Sequence, residues 1–439
     1  MIRVLKFLTA RRHLQAGCAA IALAAVSAIG AASPGWAQDI TTIKVLNWQP
    51  GGPKYWDALI KAFETENPDI KVELETVPFD RYPEVQGPYI TTKTGPDVME
   101  NNSGLELYDR RSAYLELPAD LVESAGKDLI TYSGGCLNFD PKQACYGLPF
   151  GYQGNVMYYN KAVLKEAGLD PENPPKTWDE MDAACKAVKA IGKTCLAHGM
   201  TGVFPAYWNF PEIARNYLTE DDMRAILAGK MPWTDPKMVS ILEAMASIGT
   251  RGWINANSPS ISMLPDGADI FSSGNAAFAS TIIADAVNWQ AFGQTLGDEN
   301  VGAMRWPVLV PDAPLAKSFS GVESSVFGVT SWTEKKEASL KFVKFIAGVE
   351  NGNLLTSLGG GIALNKNVDP ALVPKSQALA QIREIIKTPT LHAGVLLSGQ
   401  EADALARGWQ EVTLGRLTVA DWVARMQVAL EESPGKTAN

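Results

Sequence analysis

The sequence predicts an α/β protein of two domains, and three observations carry that prediction. Amphipathic helices alternate with short strands along the chain. Turn signals such as Pro50–Gly52, Asn67-Pro68 and Gly95-Pro96 separate them. The chain has 439 residues, more than one hydrophobic core usually organises.

The elements follow in order. Ile43 and Val45 mark a first strand ending at Asn47-Trp48. Pro53 stands at a helix start, with Trp56, Leu59, Ile60 and Phe63 at i, i+3, i+4 and i+7, and Asn67-Pro68 stops that helix. Ile70, Val72 and Leu74 alternate with charged residues, which is a strand, and another is expected at Asp97–Glu100. Strand–helix–strand order of this kind implies a parallel sheet with right-handed crossovers. Asn155–Met181 reads as a strand through Val156 and Tyr158, a cap at Asn160, and a short helix ended by Gly168. The extended pair Pro174-Pro175 comes next, and Thr177 with Glu180 forms a capping box. Near the C-terminus Thr418 opens a last helix, with Val419, Trp422, Val423 and Met426 at helical spacing.

The N-terminus reads as a cleaved export signal. Arg3, Lys6, Arg11 and Arg12 form a basic region, Cys18–Ala32 is small and apolar, and Gly35-Trp36-Ala37 offers a cleavage site. The run falls short of the roughly 20 residues a bilayer core needs. Cys18 stands at the head of the apolar run instead of following it, so lipidation is not expected. Removing residues 1–37 takes four basic and no acidic residues and moves the net charge from −9 to −13. That excess argues against nucleic acid or anionic membrane as a partner. No later stretch is apolar enough to span a membrane, and a periplasmic, monomeric protein is expected.

Cys136 and Cys145 flank a turn at Asp140-Pro141, and Cys185 and Cys195 flank the end of the helix opened by Thr177. In an oxidising compartment both pairs read as disulfides; buried free thiols are the alternative. A metal site is not expected, since there is no CxxC spacing and only His198 and His392 remain in the mature chain. Tyr158-Tyr159 would point to opposite faces of a strand. Neither GxSxG nor HExxH nor a P-loop occurs, and no cofactor is expected.

The segment NVMYYNKAVLKEAGLDPENPPKTWDEM (Asn155–Met181) resembles the mid-domain signature of the family 1 extracellular solute-binding proteins. Further pieces resemble the same family in order: FETENPDIKVELETVPF, TGPDVM, CYGLPFG, FSSGNAAF (as a helix start), VGAMRWPV and GVTSWTEKKEASLKFVKFI. The resemblance implies a two-lobed α/β fold of the periplasmic-binding-protein kind (type II, like maltose-binding protein), with ligand held in a cleft between lobes. It also implies a role as the carbohydrate-capturing subunit of an ABC importer, whose permease subunits are its partner. One lobe would take Gln38–Pro149 with Pro307–Gly348, the other Phe150–Trp306 with the chain from Val349.

Sugar recognition needs aromatic planes beside fixed polar groups, and in α/β sheets ligands collect beyond the carboxyl ends of strands. Those rules select Trp48 and Gln49, Asn101 and Asn102, and Tyr152, Gln153 and Asn155. They also select Trp208 and Asn209 in an aromatic loop with Phe204 and Tyr207, Asp285, Asn288 and Trp289 after the Thr281–Ile283 run, Glu323 in the segment Ser318–Ser325, and Gly360. Each has a structural alternative: Trp48 and Trp289 as core, the asparagines as turn residues, Gly359–Gly361 as a helix cap. Trp56, Trp178, Trp409 and Trp422 lie on apolar stripes and are assigned to core; Trp253 and Trp306 stay unplaced. A secreted glycoside hydrolase is the rival reading, because two acids at suitable separation suffice for that chemistry.

Overall fold

A computed structural model describes residues 40–48, 52–78, 81–283, 289–359 and 361–433. The expected signal segment lies outside them. The strands described are β1 (Thr41–Asn47), β2 (Ile70–Thr76), β3 (Val98–Asn101), β4 (Leu148–Pro149), β5 (Tyr152–Asn160), β6 (Thr194–Ala197), β7 (Ala276–Ile282), β8 (Val301–Met304), β9 (Phe319–Glu323), β10 (Val326–Val329) and β11 (Pro389–Leu391). They form two sheets. The first has the order β2-β1-β3-β10-β4, the second β11-β9-β5-β7-β6 with β8 also on β5.

The expected parallel sheet is found only in part. β1 pairs parallel with β2 and β3, but β10 runs antiparallel to β3 and β4. β5 is antiparallel to β7, β8 and β9. The cause is the connectivity. The chain leaves the first sheet at β4, enters the second at β5, and returns from β9 to β10, so strands meet that no helical crossover joins.

The pairings also assign strands to sheets on either side of each crossing. The crossing out falls at Phe150-Gly151, between β4 and β5. β9 pairs with β5 and β11, so the crossing back lies at Ser324-Ser325 and Pro307–Glu323 stays with the second sheet. The helix Val349–Leu354 belongs with the first lobe: Asn351 accepts from Tyr55 Oη and donates to the carbonyl of Phe150 at 3.1 Å.

Local chemistry accounts for the elements. On the helix Gly52–Glu66, Trp56, Leu59 and Phe63 are buried while Lys54 and Asp57 are exposed. Phe63 packs edge-on against Phe342 and Phe345 of the helix Lys336–Ile346, and Trp56 stacks on Phe150 at 5.6 Å. Asn160 caps the helix Lys161–Glu166 by accepting from the N–H groups of Ala162 and Val163, and Gly168 takes a positive φ after it. Thr177 and Glu180 form the predicted capping box on the helix Trp178–Ala190. Thr418 likewise caps the helix Val419–Glu431. Trp178 lies against Trp253 at 4.8 Å, and Trp253, Trp306, Trp409 and Trp422 are all fully buried in the second lobe.

Two segments differ from expectation. Phe271–Phe278 is not a helix start: a helix ends at Ser272, Gly274 turns the chain at φ +73°, and Ala276 begins β7. Residues 204–214, expected as an aromatic loop, form a helix in which Ala206, Trp208, Phe210 and Ile213 are buried. Pro205 occupies its first turn, where no N–H is needed, and Pro211 is carried inside the helix, buried with Phe210 and Ile213. Disulfides link Cys136 to Cys145 and Cys185 to Cys195.

Candidate functional site

Both sheets direct strand ends toward the crossings, and the polar residues gather there. On the first lobe β3 ends in Glu100 and Asn101, and Asn102 and the short helix Leu105–Asp109 follow. Asn102 is half-buried and donates to Glu106 Oε2 at 2.6 Å, while Arg110 pairs with the other oxygen of Glu106 and donates to Gln86 at 2.7 Å. Trp48, just past β1, is half-buried, takes its N–H to Glu100 at 2.8 Å, and meets Tyr82 edge-on at 4.6 Å.

The second lobe brings the helix Phe204–Ala214 and the ends of β9 and β11. Parallel pairing matches Leu391 of β11 with Gly321 of β9, which sets the following His392 at the same level as Val322 and Glu323. His392 is fully buried, its ring 5.1 Å from Tyr207 and 4.9 Å from Trp208. Among the described residues neither of its nitrogens has a hydrogen-bond partner, and neither does Trp208 Nε1. Burial holds the imidazole far below its ordinary range, at about 3, so it is neutral.

The two sides touch. Ser103 Oγ donates to the carbonyl of Glu323 at 3.2 Å, and the Ser133 N–H donates to its Oε1 at 2.7 Å. Tyr207 feels Glu106 from across the lobes; burial first, and that carboxylate second, push its hydroxyl up. Burial likewise raises Tyr108, Tyr132 and Tyr152, with Glu323 adding to each. These phenols therefore stay protonated donors. The cluster offers aromatic faces, neutral donors and acceptors, and carboxylates, the set that orients a polyhydroxylated molecule.

The structure distributes the predicted residues unevenly. Asn102 joins this cluster through Glu106, Trp208 through Tyr207 and His392, and Glu323 through Ser103, while Trp48 lies beside Glu100 and Tyr82 on the first lobe. Asn101 does not: it is buried in the first lobe, accepting from Gln86 and from Tyr114 Oη at 2.9 and 2.7 Å. Asn209 turns inward as well. It is fully buried, donates to the Pro205 carbonyl and to His198 Nε2, and accepts from Ser280 Oγ at 2.8 Å. Asn155 joins that same interior network through Ser280 and the Trp208 carbonyl. Tyr152 is fully buried with its hydroxyl against Gly321, where a Cβ would lie 1.9 Å from that oxygen. Gln153 is buried within β5, and Trp289 packs in the core cluster beneath β7. The common reason is local geometry: alternation along a strand and a 3.6-residue helical period turn one of two neighbours inward. Gln49, Asp285, Asn288 and Gly360 lie outside the described residues.

Sequence reading missed Glu106, Arg110 and His392, and took Tyr207 only as a neighbour of Trp208. Glu106 and Arg110 stand four apart, a helical pairing that draws no attention on a surface helix. His392 follows a three-residue strand in an apolar stretch, and only the β9–β11 register gives it a place.

Residues 58–383 match the family described as bacterial extracellular solute-binding protein. The sn-glycerol-3-phosphate-binding periplasmic protein of Escherichia coli (strain K12) is 26% identical over 341 residues, 75% of each chain. Its counterpart in Shigella dysenteriae serotype 1 (strain Sd197) matches to the same extent. Among solved structures, a chitin oligosaccharide binding protein superposes with a TM-score of 0.74 at 20% identity, over 90% of this chain and 99% of that one. Maltose-bound MalE3 of T. maritima gives 0.69 at 17% identity, over 89% and 99%. The architecture is thus the two-lobed fold of these proteins, with the cluster above at the junction of its lobes.

Proposed function

The chain belongs to the bacterial extracellular solute-binding proteins, and from that membership we propose that it is the periplasmic receptor of an ABC importer, capturing an uncharged carbohydrate between its lobes. The observation that carries this reading is the pairing of Tyr207, Trp208 and His392 on one lobe with Asn102, Glu106 and Arg110 on the other. Trp208 Nε1 and both nitrogens of His392 lack partners among the described residues. A buried polar group without a partner is unfavourable, and ligand hydroxyls would relieve it. Open and closed forms interconvert, and ligand contacts made by both lobes favour closure. A micromolar dissociation constant corresponds to about −8 kcal/mol, within reach of a few stacked rings and charge-assisted hydrogen bonds. The loaded, closed form is the one delivered to the permease.

A phosphate ester is the second reading, favoured by the name of the Escherichia coli relative. Charge weighs against it. Glu100, Glu106 and Glu323 stand at the strand ends, while Arg110 is tied to Glu106 and Gln86. Residues 49–51, 79–80, 284–288 and 360 contain Asp80 and Asp285 but no Lys, Arg or His. A phosphate would meet net negative charge. Binding also suits the carboxylates better than hydrolysis does, since both oxygens of Glu106 are taken by Asn102 and Arg110.

The test is a thermal-shift panel of mono- and oligosaccharides together with glycerol 3-phosphate. A neutral sugar raises the melting temperature by linkage, and chromatography recovers it intact. Stabilisation by the phosphate ester alone would replace this reading with the second, and sugar hydrolysis would refute both.

A further inference from the structure

Phe139 occupies a position that the solute cluster does not account for. It lies in the loop closed by the Cys136–Cys145 disulfide, on the first lobe. Asn138 and Phe139 both have positive φ, +54° and +55°. An aromatic residue in the left-handed region is uncommon and persists only where its surroundings over-determine it. Here they do. The Phe139 N–H donates to Tyr108 Oη at 3.1 Å, the two rings meet edge-on at 5.5 Å, and Asn138 Nδ2 donates to Gln143 at 3.0 Å. Cys145 is fixed in turn, its carbonyl accepting from the Leu117 N–H at 2.7 Å.

This arrangement aims the ring across the junction. Phe139 packs against the hydrophobic cluster of the second lobe, which contains Val395, and also against the first-lobe cluster of Leu107, Tyr108 and Val326. Phe139 and Val395 meet over Gly104. A Cβ added there would lie 3.0 Å from Phe139 Cζ and 3.2 Å from Val395 Cβ. Val395 itself is carried on the turn Ala393–Leu396, immediately after His392.

We infer that the disulfide-closed loop Cys136–Cys145 is a latch between the lobes, holding Phe139 against Val395 so that closure is favoured before any solute binds. An apolar contact bridging two lobes is present in the closed form and exposed to water in the open one, so it biases their ratio without touching ligand. Phe139 thus acts as a positioning residue: it sets how often the Tyr207–Trp208–His392 face meets the Asn102–Glu106 face. The loop's geometry, not Phe139 alone, is the device, because an unconstrained loop would let the ring leave the left-handed region and swing off Val395.

The experiment uses the ligand-free mature protein, so its outcome is independent of what the solute is. Spin labels on Lys71→Cys of the first lobe and Arg407→Cys of the second, both well exposed, report the interlobe distance by pulsed dipolar spectroscopy. Phe139→Ala lowers the ratio of the short-distance to the long-distance population by about tenfold, as expected for loss of an aromatic contact. Val395→Ala shifts it the same way from the other lobe, and it covers the case in which Phe139→Ala perturbs its own loop. Cys136→Ser/Cys145→Ser repeats the shift at an unchanged second-lobe melting transition. Distance distributions for Phe139→Ala and Val395→Ala that superpose on the parent's would overturn the latch. A shift with both of those variants but none on removing the disulfide would overturn the role given to the loop.

Discussion

Acid should weaken this protein through His392 in a way that a single substitution isolates. His392 is fully buried and its folded-state pKa stands at about 3, against 6.5 for a free imidazole. Between those values the unfolded chain binds a proton that the folded chain does not. The stability attached to this difference is therefore fully present above pH 6.5 and is lost as pH falls toward the folded value. Between pH 7.5 and 5.5 the loss is about 1.4 kcal/mol for this residue. His198, buried and held at about 4, acts in the same direction. Glu212 acts in the opposite one. Burial raises its carboxyl to about 7 against the pull of Arg215, so its contribution is present at low pH and is lost as pH rises. The total pH dependence mixes these effects, but replacing His392 by Gln removes one and leaves the others. Urea unfolding followed by circular dichroism at both pH values is the assay. From pH 7.5 to 5.5 the parent should lose about 1.4 kcal/mol more than His392→Gln. Parallel losses in the two proteins would refute the argument, since they would mean that His392 titrates alike in the folded and unfolded states.

Other substitutions separate site from scaffold. Trp208→Ala should weaken sugar binding at least about tenfold by calorimetry, with far-ultraviolet circular dichroism unchanged; unaltered affinity removes Trp208 from the site. Asn209→Ala should instead lower stability by about 2–3 kcal/mol, because His198 and Ser280 each lose a buried partner. An intact urea midpoint with lost sugar affinity would return Asn209 to the cleft. Cys185→Ser/Cys195→Ser should cost about 2–3 kcal/mol from the loop it opens, and an unchanged midpoint would show that this bond contributes nothing to the folded state.

Much of the fold was legible because its signals are local. Asn160, Gly168 and the Thr177–Glu180 box each satisfy backbone groups within a few residues, so sequence alone specifies them. The apolar stripe Trp56, Leu59, Phe63 and the cysteine pairs at short separation were readable for the same reason. The helix Phe204–Ala214 was not. Its prolines read as loop punctuation, and burial of Phe210 and Ile213 in the second-lobe core stabilises it as a helix.

By itself, then, the sequence determined the alternation of elements, the caps and the cysteine pairing, and an ordered series of motifs that identified the family. Only the tertiary structure decided which polar residues face the junction. The choice between Asn101 and Asn102 turns on the pleat of β3, and that between Trp208 and Asn209 on the rotation of a helix. The place of His392 depends on pairing between β9 and β11, nearly seventy residues apart. Each is a long-range relation, in which contacts distant along the chain fix a direction that no local propensity encodes.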